Sequence, residues 1–413
     1  MPASAGYGPN PTLPKPQKSL LPVVDIAPAT GWPAGATPKP AAGFAVTALA
    51  SGLDHPRWLC VLPNGDVLVA ETNAPKRPEE GKGIKGAAMK VMMTKAGAAV
   101  PSANRITLLR DADGDGVAET KTVFLQGLNS PFGMAVVGNN LYVANTDAVV
   151  RFPYKVGDTQ ITTAPEKVAD LPAGPRNHHW TKSLIANRDG TKLYAGVGSN
   201  SNVAENGMGE EEQRAAIHEI DLATGKTRTF AYGLRNPVGL GWEPKTGELW
   251  TAVNERDELG NDLVPDFMTS VKDGGFYGWP YSYFGQNVDQ RVKDQKPELV
   301  AQAIKPDYAL GSHTSSLGLC FYEAKLFSEK YAGGAFVGQH GSWNRKPKSG
   351  YKVIFVPFKD GRPNGEPEDI LTGFIDANDN ALGRPVGVAI DGKGALLVAD
   401  DVGNVIWRVA PAK

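Results

Sequence analysis

The chain has 413 residues, of which 41% are hydrophobic and 21% charged, and its formal net charge is −1. This composition supports a sizeable core, and a charge near zero gives no global field that would attract nucleic acid or an anionic membrane. No run of the sequence reaches the roughly 18 apolar residues of a membrane-spanning helix. The N-terminus lacks the charged and then apolar pattern of a signal peptide, so we expect a cytoplasmic protein or a sequence that begins after a removed signal.

Residues 1–42 are rich in Pro, Ala and Gly. This is typical of an extended segment draped over a domain, or of a flexible tail. Residues 43–413 are predicted to form a single domain. Residues 74–104 interrupt its first repeat, and we predict that this insertion forms a flap or a partner surface.

One pattern occurs six times along the chain. A Gly/Pro turn precedes an apolar strand, a polar turn and a second apolar strand that ends at an acid, an amide or a Gly. The copies lie at 52–72, 127–147, 178–200, 233–255, 315–341 and 383–403. Such repeats predict an all-β fold, a six-bladed β-propeller of four-stranded antiparallel blades. The first turn and the last residue of each copy then face one end of the central channel and form a polar site.

The third repeat opens with His178 and His179, where other repeats have their Gly/Pro turn. One of the pair would project into the channel, where a neutral imidazole suits a general base at pH 7. The alternative is a histidine that only hydrogen-bonds a loop carbonyl. His313, which leads into the fifth repeat, could line the same end.

Arginines occupy equivalent points of other repeats. Arg235, followed by Asn236, lies in the fourth repeat, Arg384 lies in the sixth, and Arg345 follows the fifth. Several guanidinium groups that converge on one site indicate a phosphate or a ligand with several carboxylates. For any one of them, the alternative is a surface salt bridge.

Two stretches offer oxygen ligands for a hard cation such as Ca²⁺. Residues 254–257 carry an amide and carboxylates, and a solvated acidic loop is the alternative. Asp111, Asp113 and Asp115 match the D-x-D-x-D-G start of a calcium loop, but Thr122 stands where its final Glu would be. A plain hairpin turn explains this second stretch equally well.

Four strings occur in a fixed order: YGLRNPVGLGWEPKTGELW, DGGFYGWPYSYFG, GQHGSWNR followed by GYKVIFVPF, and GRPVGVAID with LLVADD. Together they resemble the glucose/sorbosone dehydrogenase family, most closely its L-sorbosone dehydrogenase-like branch, over nearly all of 44–410. The resemblance implies a six-bladed propeller that holds pyrroloquinoline quinone (PQQ) and Ca²⁺ at the top of the channel. It also implies a periplasmic or secreted protein, while the sequence leaves a cytoplasmic location open.

Carried over residue by residue, the resemblance implies that His179 is the catalytic base, with His178 as the one-residue alternative. Arg235 and Asn236 match a pair near the quinone, and Arg384 matches an arginine that binds a quinone carboxylate.

Two departures from the family pattern concern the metal and the quinone. Relatives hold Ca²⁺ with the carbonyls of a Gly-Pro pair, and this chain has Glu255 and Arg256 there. We therefore expect the metal ligands among Glu255, Arg256 and Asp257, through side chains or backbone carbonyls. The family's quinone-binding lysine has no clear match within 339–341, and Arg345 is expected to take its role.

The implied activity is a PQQ-dependent dehydrogenation of a sugar or aldehyde. Ca²⁺ would polarise the quinone, a His would accept the proton, and an acceptor such as a cytochrome or a quinone would take the electrons. Two alternatives remain: a Ca²⁺-dependent lactonase-type hydrolase on the same fold, and a propeller that binds a protein or glycan without catalysis. The arginines argue against the lactonase, because a lactone carries no charge for them to bind.

Overall fold

Strands form where short apolar runs lie between Gly, Pro and Asn turns, and long helical periodicity is absent. A computed structural model describes residues 3–17, 23–76 and 91–412. These residues are mostly strands and turns, with short 3-10 helices at Ala3–Gly6, Met208–Glu211 and Glu329–Tyr331 and a one-turn α-helix at Pro297–Val300. Residues 91–95 are also helical. Among the described helices, none has the length and apolar character needed to span a bilayer.

The strands in chain order are β1 (Tyr7–Gly8), β2 (Lys39–Pro40), β3 (Phe44–Ser51), β4 (Pro56–Val61), β5 (Val67–Glu71), β6 (Arg105–Arg110), β7 (Thr120–Leu125), β8 (Met134–Val137), β9 (Asn140–Ala144), β10 (Ala148–Pro153), β11 (Glu166–Asp170), β12 (Lys182–Ala186), β13 (Lys192–Val197), β14 (Ala216–Asp221), β15 (Thr227–Tyr232), β16 (Pro237–Trp242), β17 (Leu249–Val253), β18 (Pro265–Ser270), β19 (Ser282–Tyr283), β20 (Asn287–Val288), β21 (Tyr308–Ser312), β22 (Ser316–Phe321), β23 (Ala335–Gln339), β24 (Lys352–Val356), β25 (Phe358–Lys359), β26 (Arg362–Pro363), β27 (Glu368–Thr372), β28 (Pro385–Ile390), β29 (Leu396–Asp400) and β30 (Val405–Pro411).

Six antiparallel sheets surround one axis, and we call them blades one to six. They consist of β4–β7, of β8–β11, of β12–β15, of β16–β18 with β21, of β22–β24 with β27, and of β28–β30 with β3. The first strands of the blades, β4, β8, β12, β16, β22 and β28, contact one another in a closed ring around the axis. The six-bladed propeller predicted from the sequence is therefore confirmed. β1 and β2 add a fifth strand to blades four and five.

The N-terminal part of the chain closes the propeller with β3 and crosses its face with residues before β3. β3 pairs antiparallel with β30, so that blade six contains strands from both ends of the chain. Between β1 and β2, the amide of Asp25 donates to the carbonyl oxygen of Trp343 at 2.8 Å. The indole Nε1 of Trp32 donates to Asp400 Oδ2 at 2.7 Å. Residues 23–32 thus lie along blades five and six.

The hydrophobic core lies between neighbouring blades. Trp58 and Phe132 belong to one cluster of blades one and two, and Phe336 and Trp407 to another of blades five and six. Near the axis the inner strands approach so closely that a Cβ added to Gly318 would lie 2.3 Å from the carbonyl oxygen of Val386. This packing fixes where the strand ends lie around the channel.

The predicted insertion is described only in part, since residues 77–90 lie outside the described residues. Its C-terminal end packs on blade one, because Asn73 Nδ2 donates to the carbonyl oxygens of Ala98 and Val100 at 2.9 and 2.7 Å. The amide of Ala29 donates to the carbonyl of Lys95. A role as a flap or partner surface stays a prediction.

Candidate functional site at the channel mouth

Each blade contributes two chain positions to the same end of the channel. One lies in the turn before the innermost strand, and the other follows the second strand. The first set is His55, Ser130, His179, Asn236, Ser315 and Arg384, and the second set is Thr72, Asn145, Gly198, Asn254, His340 and Asp401. We call this ring the channel mouth. It is the polar end that the repeat pattern predicts.

His179 lies in the turn before β12 and is half-buried. Its Nδ1 lies 2.7 Å from the carbonyl oxygen of Ser199 and 3.1 Å from the hydroxyl of the same residue. Because a carbonyl oxygen only accepts, the neutral ring carries its proton on Nδ1. Nε2 then keeps its lone pair, which is the tautomer that a general base requires.

The surroundings of His179 favour the neutral imidazole. Burial lowers its pKa well below the usual value, and the positive charge of Arg235 and the ring of His178 lower it further. His179 and Asn236 flank Gly198, where an added Cβ would lie 2.5 Å from His179 Cβ and 2.2 Å from Asn236 Oδ1. Only glycine at this position lets the two side chains lie together.

Arg235 is almost completely buried and holds the loop that follows β17. Its Nη1 donates to the carbonyl oxygens of Glu255 and Asn254 at 2.7 and 3.3 Å, and to Asn254 Oδ1 at 3.1 Å. Nη2 and Nε donate to Asn202. The structure therefore brings Arg235 next to His179 and saturates its guanidinium with protein oxygens.

The carboxylates predicted to bind Ca²⁺ already accept hydrogen bonds. Glu255 Oε2 accepts from both the amide and Nε of Arg256 at 2.9 Å. Arg256 is fully buried and also donates to the carbonyl oxygens of Pro280 and Ser282 and to Asp289 Oδ2. Burial alone would lower the pKa of Arg256, but Glu255 and Asp289 raise it above its usual value. Arg256 is thus a charged structural residue beneath the mouth.

Asp257 is likewise surrounded by donors. Its Oδ1 accepts from Asn344 Nδ2 at 2.8 Å and lies 3.2 Å from His313 Nδ1, and its Oδ2 lies 3.8 Å from Arg235 Nη2. Burial would raise the pKa of Asp257, but His313 and Arg235 bring it below its usual value. Asp257 therefore stays ionised.

A second charged cluster lies across the mouth, where blades one, five and six meet. Asp401 Oδ2 accepts from Arg57 Nη1 at 2.6 Å and contacts His340 Nε2 at 2.9 Å and His55 Nε2 at 3.5 Å. Burial would raise the pKa of Asp401, but these three groups hold it far below its usual range. The guanidinium of Arg57 also lies 5.8 Å from the ring of Trp180, next to His179 in the chain. The second cluster thus reaches the residue next to His179.

Arg384 is buried in this second cluster, with its guanidinium 4.9 Å from the ring of Tyr351. Its Nη2 makes a long bond to the carbonyl oxygen of Ala27 at 3.5 Å. Its backbone amide donates to Asp400 Oδ1 at 2.8 Å. Asp400 therefore fixes the position of Arg384, while the guanidinium keeps open donors.

Arg345 does not join either cluster. Its Nε donates to the carbonyl oxygen of Asn261, its Nη1 to that of Pro347, and its Nη2 to Asp262 Oδ1. These bonds hold it against a loop beyond the mouth. Its predicted role in cofactor binding stays a prediction.

Sequence reasoning did not single out Arg57 or Asp401, and it named His340 only within 339–341, where the family's quinone-binding lysine has no clear match. His340 and Asp401 are the first residues after β23 and β29, the same position that Asn254 occupies after β17. Alignment of the repeats therefore carried a signal for these two residues. Arg57 is the second residue of β4, where blade four has Val238, and the repeat pattern carried no signal for it.

The acidic loop of blade one forms a hairpin-type turn. Carboxylate oxygens of Asp111, Asp113, Asp115 and Glu119 all lie within 4.8 Å of one another. They accept backbone N–H groups of the same loop, and Asp111 also pairs with Lys393. This exposed cluster lies apart from the mouth.

A profile of the TrAA12-like family matches residues 38–273 and 280–412 of the chain. The chain belongs to the TrAA12-like family. The resemblance predicted from the sequence is thereby confirmed at the level of the family.

Two other proteins are similar in sequence to this TrAA12-like chain. An uncharacterised protein of Borreliella burgdorferi is 29% identical over 296 residues, which cover 68% of this chain and 76% of that protein. A pyrroloquinoline quinone-dependent pyranose dehydrogenase of Coprinopsis cinerea is 24% identical over 431 residues, which cover 88% of this chain and 53% of the relative. The chain thus spans about half of the Coprinopsis protein.

Solved structures share the fold at low sequence identity. A Trichoderma reesei protein of carbohydrate-active enzyme family AA12 superposes with a TM-score of 0.73 and 19% identity, covering 94% of this chain and 99% of that one. The holo PQQ domain of the Coprinopsis cinerea pyranose dehydrogenase gives a TM-score of 0.71 and 22% identity, covering 94% and 100%. These matches show that the propeller is common to the three proteins.

Proposed function

We propose that this TrAA12-like protein is a PQQ-dependent sugar dehydrogenase that oxidises a sugar hydroxyl or hemiacetal at the channel mouth. The observation that carries the proposal is His179. Its Nδ1 is bonded to the Ser199 carbonyl oxygen, so a neutral ring keeps a lone pair on Nε2 beside a wall rich in guanidinium groups. Membership of the family and the Coprinopsis pyranose dehydrogenase support the choice of cofactor.

The residues of the mouth fit PQQ. The buried polar atoms there that lack hydrogen-bond partners within the described residues include Arg57 Nε, Arg384 Nε, Asn236 Oδ1 and Asn344 Oδ1. Such atoms are rare in folded proteins, because an unmade buried hydrogen bond is costly. Guanidinium donors match the three carboxylates of PQQ, and amide oxygens match the hydroxyl donors of a sugar. Arg57 and Arg384 are the side chains that would hold the cofactor.

His179 provides the proton chemistry. When bound, PQQ supplies a two-electron acceptor for the hydride of the substrate carbon. Nε2 of His179 accepts the hydroxyl proton, and the carbonyl oxygen of Ser199 stabilises the resulting imidazolium through Nδ1–H. Arg235 lowers the pKa of His179, and an anionic cofactor would oppose this effect and make His179 a stronger base.

The proposal is tested by adding PQQ to the purified chain. Quinone binding is followed by the quenching of tryptophan fluorescence, and turnover by the reduction of an artificial dye with a panel of aldoses, sorbosone and simple aldehydes. We expect saturable binding and quinone-dependent dye reduction with at least one sugar. No binding together with no activity on the panel would overturn the proposal. The panel also decides the substrate, while the electron acceptor and export from the cytoplasm stay predictions.

A further inference from the structure

The loop of residues 254–257, which we call the blade-four loop, is where the sequence resemblance implies Ca²⁺. A protein Ca²⁺ site needs six to eight oxygen ligands whose lone pairs point to a common centre. The carbonyl oxygens of Asn254, Glu255 and Asp257 and the side chains of the same three residues all accept hydrogen bonds from protein donors.

One guanidinium nitrogen already lies where a cation would collect the neutral oxygens. Arg235 Nη1 is 2.7 Å from the carbonyl oxygen of Glu255, 3.3 Å from that of Asn254 and 3.1 Å from Asn254 Oδ1. Arg235 is 2% exposed and Glu255 is 4% exposed, so little water reaches the bond between them. The fixed positive charge of Arg235 therefore binds three oxygens that a metal ion on this loop would need as ligands.

The carboxylates of the loop are neutralised by further donors. Glu255 Oε2 is bound by Arg256, whose remaining donors are held by Pro280, Ser282 and Asp289. Arg256 therefore cannot turn away without leaving a buried charge unpaired. Asp257 accepts from Asn344 and His313 and lies 3.8 Å from Arg235.

A divalent cation on this loop would share its oxygens with two buried guanidinium groups. The repulsion between like charges is strong in a buried site, because little water screens it. The donor set therefore does not fit Ca²⁺. We propose that the blade-four loop binds no divalent cation, and that Arg235 supplies as a fixed guanidinium the positive charge that the resemblance assigns to Ca²⁺. The inference rests on the proposed function, and it means that the quinone binds to the mouth without metal.

The first test measures Ca²⁺ binding without quinone. The protein carries Asp113→Asn and Asp115→Asn, which silence the exposed acidic loop of blade one, and is stripped with a chelator. In calorimetry we expect no binding of Ca²⁺ up to about 1 mM, the upper range of weak protein sites. A saturable heat of binding in this double variant would overturn the inference, whether or not quinone binds.

The second test compares quinone binding with chelator and with Ca²⁺, followed by tryptophan fluorescence. We expect the two values of Kd to agree within about threefold. Binding that is at least about tenfold tighter with Ca²⁺ overturns the inference and leaves the dehydrogenase proposal standing. An absence of quinone binding in both conditions overturns the dehydrogenase proposal, and the calorimetry still decides whether the loop takes a metal.

A variant pair tests the part assigned to Arg235. Arg235→Gln removes the charge, and we expect Ca²⁺ binding to appear in the calorimetry, because the oxygens of Asn254 and Glu255 lose their cation. Arg235→Lys keeps the charge and is expected to remain without Ca²⁺ binding. A folded Arg235→Gln variant that binds no Ca²⁺ would show that Arg235 is not what excludes the metal. If neither variant folds, calorimetry on the double variant of blade one still decides the inference.

Discussion

The two halves of the channel mouth use arginine in opposite ways. On the blade-four half, Arg235 and Arg256 are saturated by carbonyl and carboxylate oxygens. On the blade-six half, Arg57 and Arg384 each have an Nε without a partner within the described residues. A saturated guanidinium fixes the shape and charge of its surroundings, whereas open donors favour an anionic ligand. The burial of an arginine therefore does not reveal its role, but its unmet hydrogen bonds do.

The largest expected effect is on His179, which lies between the two halves. His179→Gln keeps the size and removes the base, so we expect kcat to fall about 10²- to 10⁴-fold. Quinone affinity should stay nearly unchanged, because the arginines remain. Steady-state dye reduction and a quinone titration measure the two quantities separately.

His178→Gln is the matched control for this variant. The ring of His178 packs edge-on against His179 at 4.8 Å, but the side chain is exposed. We expect a loss of less than about tenfold in kcat. Equal losses in the two variants would contradict the assignment of the base to His179.

On the saturated half, Arg256→Met should act on stability. It leaves Glu255 as an unpaired buried carboxylate, whereas Asp289 keeps its pair with Arg291. We expect the free energy of unfolding to fall by about 3–5 kcal/mol. Urea denaturation measures the loss. Arg151→Met, which breaks the exposed pair with Glu166 in blade two, is the control and should change stability by less than about 1 kcal/mol. If the two variants lost the same unfolding free energy, Arg256 would not have the structural role assigned to it.

On the open half, Arg384→Gln should weaken the quinone rather than the fold. Loss of a charged hydrogen bond is expected to raise the Kd for PQQ about 10- to 100-fold. Arg345→Gln is the control, because Arg345 is held by Asp262 and two carbonyl oxygens. We expect a change of less than about threefold for it. An equal rise of the Kd in Arg345→Gln would support the sequence prediction for Arg345. It would contradict the difference that we draw between the two halves.

The propeller could be predicted from the sequence because its inner strands carry local signals. Residues 233–255 show a turn, an apolar run, a Lys-Thr-Gly hairpin turn and a second apolar run, and β16 and β17 form there. β1 and β2 have only two residues each and no local signal. Their pairing depends on the outer edges of blades that are distant in the chain.

From the sequence, the repeats show where each strand ends and therefore which residues lie at the mouth. They do not show which side chains contact one another. The register placed His179 and Arg384 at the mouth. It could not show that Arg57 and Asp401, which are 344 residues apart, form an ion pair. Nor could it show that Arg235 folds back onto the carbonyl oxygen of Glu255, since an oxygen-rich loop looks the same in a sequence whether its lone pairs are free or occupied.

The smallest expected effect concerns a feature that both halves share. Asp400 accepts from the amide of Arg384 on one half, and Asp266 accepts from the amide of Glu255 on the other. Burial raises the pKa of each carboxyl to about 6. A raised pKa in the folded state stabilises the protein below the unfolded pKa near 3.8, and this stability is lost as pH rises through about 6.

Asp400→Asn and Asp266→Asn should remove this pH dependence to a similar extent. We compare the unfolding free energy of the unmodified protein with that of each variant. From pH 4 to pH 7, this difference is expected to move by on the order of 2 kcal/mol against the unmodified protein. Urea denaturation at intermediate pH values measures the slope. Similar slopes would mean that the halves share one scaffold and differ only in how their guanidinium groups are satisfied. If only one variant changed the pH dependence, the two halves would also differ in their buried carboxyl groups. The contrast between saturated arginines and arginines with open donors would then follow from that difference.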